Sequence, residues 1–276
     1  MQCATKHAEP VRGDRSRFAV SKAAELVAWF WILGSGAAAQ KLPPKTTDAS
    51  DPLIAAIEII KHSVGSVDCL AVSGKETKML KRIGSAFLFS EAGDFLTAAH
   101  VVMEIQKGND PCPTSAITLP LADWQPEART EDMLWFPFKN SDCKLDTTVD
   151  VAVCRASGNL PGRIRQLHLK AAPVQFQSSL PPDGAQLAFT GFPLEARDPM
   201  TFRAHVAAYR ASGEEMAPEL IIDHASLPGF SGSPVFGANG KVFGILVRDG
   251  KPEAAGTAVV RPVSTFRKML GEKAPK

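Results

Sequence analysis

Charge of one sign is what this sequence lacks most plainly: Lys and Arg total 31, Asp and Glu total 29, and neither forms a long run. Without a basic stripe, nothing points to nucleic acid as a partner. There is no His-Glu-x-x-His spacing and no Cys-x-x-Cys pair, so the common zinc patterns are missing and neither metal nor cofactor is expected. No apolar run is as long as a membrane span, and no internal repeat is visible. No His follows Ser231, which argues against an esterase whose triad puts His after the nucleophile. Position 233 is Ser, so the Gly-x-Ser-x-Gly elbow of such enzymes is missing too.

The first segment differs from the rest. Residues 1–25 carry Arg12, Arg15, Arg17 and Lys22, a short apolar run follows from Leu26 to Leu33, and Ala37-Ala-Ala39 closes it. A basic region, an apolar stretch and a small-residue ending read as a secretory signal, with cleavage expected after Ala39; the long basic region leaves an uncleaved anchor as the alternative. Residues 40–52 then read as a linker. The chain is thus expected to be secreted or periplasmic, with no membrane association once the signal is removed. The remaining cysteines, Cys69, Cys112, Cys143 and Cys154, are even in number. In an oxidising compartment they allow two disulfides in three connectivities. Cys112 with Cys143 is the pair favoured by their Pro-rich, polar surroundings.

Pro52 to Lys61 has the apolar spacing of a short helix with Pro in its first turn. Short strands bounded by turn residues are then expected over 67–72, 82–90, 95–97, 149–154, 186–190, 205–210, 220–222, 234–236 and 242–247. That texture belongs to barrels or sandwiches. The Pro-rich, irregular stretch 108–146 reads as a long decorated loop with at most one hairpin, 158–173 as the crossing between two halves, and 261–270 as a closing helix with Val263, Phe266 and Leu270 on one face.

Three motifs carry chemistry. Phe95 to Val102 reads as an apolar strand ending in His100; Thr148 to Val153 sets Asp150 inside an apolar run; Pro228 to Val235 holds Ser231 between Gly229 and Gly232. Each has an ordinary structural explanation: a packing His, a turn-capping Asp, a plain turn. A buried carboxylate needs a partner, however. The order His, Asp, Ser, with 50 and 81 residues between them, is one of the orders in which a nucleophile, a base and an orienting acid occur. Asp142 and Asp146 are nearby alternatives to Asp150.

These residues resemble the trypsin-like, chymotrypsin-fold serine peptidase superfamily. The resemblance is to its bacterial HtrA-like and glutamyl-endopeptidase-like branch, here without a PDZ domain. It rests on Gly84-Ser-Ala-Phe-Leu-Phe89, Thr97-Ala-Ala-His100, Asp150-Val-Ala-Val153, Gly229-Phe-Ser-Gly-Ser-Pro-Val235 and Gly240-Lys-Val-Phe-Gly-Ile-Leu246. It implies an all-β fold of two packed six-stranded antiparallel barrels, with a short N-terminal and a C-terminal helix. The first barrel would span 53–165 and the second 166–276. It implies a serine endopeptidase acting on protein or peptide, with Ser231 as nucleophile, His100 as base and Asp150 as orienting acid. The backbone N–H groups of Gly229 and Ser231 would form the oxyanion hole. Ala225, Ser226, Ile245 and Val247 would line the substrate pocket. Ala225 stands where trypsin-like enzymes hold an acid and Leu246 about where glutamyl-specific ones hold a His, so a small or medium apolar side chain is expected before the cut. Phe230 replaces trypsin's Asp before the nucleophile, which argues against activation by a freed N-terminus. A silent protease-fold binding module is the alternative. Oligomeric state is not set by the sequence.

Overall fold

The computed structural model describes residues 51–74, 76–105, 112–120, 133–193, 196, 198–210, 217–250 and 255–271. The expected signal (1–39) and nearly all of the linker lie outside them. The linker's last two residues instead start the first helix, α1 (Pro52–Ile60), where the Asp51 carboxylate accepts the Leu53 N–H at 2.9 Å. Asp at the N-cap and Pro at the first position satisfy or remove orphan donors, so the helix starts there. It buries Leu53, Ala56 and Ile60.

Strands β1 (Val64–Ser73), β2 (Glu76–Leu88), β3 (Asp94–Thr97), β4 (Thr114–Pro120), β5 (Met133–Phe138), β6 (Cys143–Asp146) and β7 (Val151–Arg155) form one sheet. Its order is β5-β4-β1-β2-β3-β7-β6, with antiparallel pairing throughout. A short helix, α3 (Leu160–Gln166), follows in the expected crossing. The second sheet contains β8 (Gln175–Phe176), β9 (Gln186–Gly191), β10 (Met200–Arg210), β11 (Glu219–Ile222), β12 (Pro234–Phe236), β13 (Lys241–Asp249) and β14 (Ala258–Pro262). Six of these close into an antiparallel barrel, because β12 pairs with both β9 and β13; two-residue β8 runs parallel beside β13. The fold is mostly β, as the resemblance implies.

Several local expectations change. The stretch 108–146 holds three strands among its described residues, where a loop with at most one hairpin is expected; two of them, β4 and β5, pair antiparallel. Pro137 lies in β5, an edge strand, where a missing N–H costs no ladder bond, so a proline that reads as a breaker is tolerated. His100 does not end a strand: β3 stops at Thr97, and His100 sits in the first turn of α2 (Ala99–Glu104). The closing helix is shorter, α4 (Val263–Phe266) plus a 3-10 turn (Arg267–Leu270), since Arg261 and Pro262 belong to β14. Val263 and Phe266 are nonetheless buried, at 1% exposure each.

The favoured disulfide is also replaced. The bonds are Cys69–Cys112 and Cys143–Cys154. Cys143 and Cys154 are direct cross-strand partners of β6 and β7, with Cα atoms 4.0 Å apart, and strand pairing alone brings them together. Cys69 lies on β1 opposite Ser115 of β4, three residues from Cys112. The register of both ladders therefore selects these two pairs.

Candidate active site

α2 follows directly from β3, and this sharp change of direction points the start of the helix at the segment before β7. His100 donates its backbone N–H to Asp150 Oδ1 at 2.9 Å, and its Nδ1 lies 2.8 Å from Asp150 Oδ2. A carboxylate only accepts, so Nδ1 carries the proton and Nε2 is left as the acceptor. The imidazole is 41% exposed and the Asp150 side chain 24%, so Nε2 is reachable from solvent. Asp146 caps the turn before Asp150 by accepting from Thr148 and Val149 N–H, and Asp142 accepts from Lys139 N–H. Of the three candidate acids, Asp150 is the one bonded to His100.

The segment Pro228–Pro234 is a pair of tight turns. Phe230 N–H donates to Leu227 O at 3.0 Å and Ser233 N–H to Phe230 O at 2.9 Å. Gly229 and Gly232 have φ of +98° and +95°, values at which any other residue is strained. A Cβ on Gly232 would also lie 1.9 Å from Ser85 O. Phe230 is fully buried, its ring 5.3 Å from Phe189 and 5.5 Å from Phe202. Apolar packing thus anchors the residue before Ser231.

Ser85, on β2 of the other sheet, holds this segment from the front. Its N–H donates to Ser231 O (2.8 Å), its hydroxyl donates to Gly229 O (2.7 Å), and the hydroxyl accepts from Phe192 N–H (2.8 Å). Thr97, at the end of the strand leading to His100, donates its hydroxyl to Ser85 O at 2.8 Å. A Cβ on Gly84 would fall 2.6 Å from Val101 and 2.9 Å from Ser231 O. The helix carrying His100 and the turn carrying Ser231 therefore flank Gly84 closely. Ser231 Oγ makes a long contact, 3.4 Å, to Val247 O.

Of the expected pocket residues, Ala225 is exposed, Ser226 is 8% exposed, and Ile245 and Val247 are buried in the main apolar cluster. Val247 turns its carbonyl to Ser231. Two crevices of ≈ 620 and ≈ 460 Å³ lie beside Arg155 and Lys268 and beside α3, and neither is lined by His100, Asp150 or Ser231. A second His–Asp pair occurs at the surface, where His205 Nδ1 lies 3.0 Å from Asp223 Oδ2. Burial works against the Asp223 charge, yet hydrogen bonds from His205 and its positive charge outweigh it and lower the carboxyl's pKa.

Sequence reasoning missed Ser85 and Arg261. Ser85 lies in the Gly84–Phe89 motif, but only the tertiary fold shows its hydroxyl facing the Ser231 turn. Arg261 was placed in the closing helix. The signal was a lone charge at the end of the apolar run Ala258-Val-Val-Arg-Pro262.

The profile of the family described as Trypsin-like peptidase domain matches residues 84–245, more than half of the chain. No curated protein matches the sequence. Among solved structures, the active form of the Rv3671c protease of Mycobacterium tuberculosis is similar, with 20% identity, a TM-score of 0.52, and coverage of 82% of this chain and 87% of that one. Deg5 is similar at 14% identity and a TM-score of 0.58, covering 82% of this chain and 95% of its own. At these identities the likeness speaks to the fold.

Proposed function

The chain belongs to the Trypsin-like peptidase domain family, and from that membership we propose a serine endopeptidase with Ser231 as nucleophile, His100 as general base and Asp150 as orienting acid. One observation carries the reading. His100 gives both its backbone N–H and its Nδ1–H to one carboxylate, Asp150, which leaves Nε2 basic and aimed away from the acid.

In the proposed cycle Ser231 turns from Val247 O toward His100 Nε2. Its Oγ attacks the peptide carbonyl carbon while the hydroxyl proton passes to Nε2. Asp150 steadies the imidazolium. The carbonyl oxygen, now negative, accepts from the backbone N–H groups of Gly229 and Ser231, an interaction worth about a hundredfold or more in rate. The proton on Nε2 passes to the amine nitrogen, the C–N bond breaks, and an acyl ester on Ser231 remains. Water, deprotonated by the same imidazole, attacks the ester and regenerates the hydroxyl. No step needs a metal or cofactor.

The substrate is proposed to be a protein or peptide with a small or medium apolar residue before the cut, received near Ala225, Ser226, Ile245 and Val247. Two disulfides among the described residues fit an oxidising compartment. No helix among those residues is long and apolar enough to cross a membrane. Export through residues 1–39 is part of the proposal.

The contact from Ser231 Oγ to Val247 O favours one second reading, a silent binding module whose hydroxyl stays turned to β13. Labelling by a fluorophosphonate separates the two. Wild type should label, and Ser231→Ala and His100→Ala should not; folded wild type that never labels would favour the silent module.

A further inference from the structure

Arg261 is the charged exception in a buried strand, and only 5% of it is exposed. Its Nε–H donates to Val149 O at 2.8 Å, and Nη1 donates to the carbonyls of Ala217 and Pro218, both at 2.9 Å. Nη2 lies 3.6 Å from Glu219 Oε1. A buried guanidinium is costly unless its donors are used and its charge is paired, and here three carbonyls accept donors while the Glu219 carboxylate pairs the charge. Burial works against its charge and so does Arg248; Glu219, Asp150 and Asp146 support it, with a net lowering of its pKa. Arginine remains charged at any ordinary pH.

The residue it grips is the one before Asp150. Val149 N–H is held by Asp146 Oδ1 at 3.2 Å, and Val149 O is held by Arg261. Both peptide groups of Val149 are therefore pinned, one from β6 and one from the opposite sheet. Asp150 then takes φ +58°, a conformation an L residue adopts seldom and keeps where its surroundings over-determine it. From that conformation its two oxygens meet the two His100 donors.

We propose that Arg261 is a positioning residue for the Asp150–His100 pair, clamping the Val149–Asp150 peptide across the junction of the two sheets. The proposal rests on reading Asp150 as the acid that orients His100. A planar fork serves it because three carbonyl oxygens must be met at fixed angles; a lysine ammonium carries the charge without that geometry.

The test uses the full chain with Arg261→Lys and Arg261→Gln. Proton NMR reads the hydrogen-bonded Nδ1–H of His100, assigned by its absence in His100→Ala and in Asp150→Asn. Both Arg261 variants should lose or shift this resonance while keeping the rest of a folded spectrum. With an apolar peptide substrate, kcat should fall about tenfold or more and KM should stay within about twofold. A folded Arg261→Lys with an unchanged resonance and wild-type kcat would overturn the proposal, because charge alone would then suffice. If Arg261→Gln does not fold, Arg261→Lys gives the same reading alone. The resonance reports on the clamp even if wild type hydrolyses nothing, so failure of the catalytic reading and failure of the clamp are told apart.

Discussion

Ser85 lies on β2 of the first sheet and Ser231 in the turn before β12 of the second, yet the Ser85 N–H donates to the Ser231 carbonyl at 2.8 Å while the Ser85 hydroxyl donates to Gly229 O at 2.7 Å. One residue of the first sheet thus holds the turn at Ser231 and again two residues before it, at Gly229. Ser85→Ala keeps the first bond and removes both hydroxyl bonds, the one to Gly229 O and the one from Phe192 N–H, in a buried place. A stability loss of about 1–3 kcal/mol should follow. Fluorophosphonate labelling should slow by about tenfold or more, since Gly229 would no longer be fixed. Unchanged labelling with lowered stability would mean the hydroxyl only helps packing.

Phe230→Ala removes a fully buried ring that contacts Phe189 and Phe202. The cavity should cost about 3–5 kcal/mol, read by urea unfolding. Phe230→Leu should recover more than half of that loss and most of the labelling rate. Equal effects of the two variants would deny that packing volume anchors the turn.

Asp94 begins the strand that leads to His100. Burial raises its pKa, but hydrogen bonds from Arg155 and Ser90 and the Arg155 charge outweigh this, so the folded value lies below the ordinary 3.8. A depressed folded value means the ionised form adds stability above the unfolded pKa, and that stability is lost as pH falls through the folded pKa. Asp94→Asn should therefore be less stable near neutrality and show a flatter loss between about pH 4 and pH 2. Parallel acid limbs in thermal melts of the two proteins would refute this.

The two disulfides close loops of different size, with separations of 43 and 11 residues. Chain entropy alone assigns them about 4 and about 3 kcal/mol. Replacing Cys69 and Cys112 by Ser should lower the urea midpoint more than replacing Cys143 and Cys154. Peptide mapping without reduction should recover these two pairs; a Cys112–Cys143 linked fragment would show a different register for β6.

The expected strands whose apolar residues alternate or run together, such as 186–190 and 234–236, match β9 and β12 closely. Those around residues 114–146 were hidden because the stretch is rich in proline, and one of these prolines, Pro137, lies within β5. An edge ladder tolerates proline, and edge position is a property of the assembled sheet. The same limit applies to the cysteines, whose pairing follows from register and not from local composition.

The residue types and their order along the chain were enough to single out His100, Ser231 and a small set of acids that includes Asp150, because a base, an acid and a glycine-flanked hydroxyl are chemically unusual inside apolar runs. Only the tertiary structure decided that Asp150, not Asp146, meets His100, that Ser85 straps the Ser231 turn, and that Arg261 reaches Val149. Hydrogen bonds between groups 50 to 144 residues apart depend on how strands pair and sheets pack, and such packing leaves no local pattern in a sequence to read.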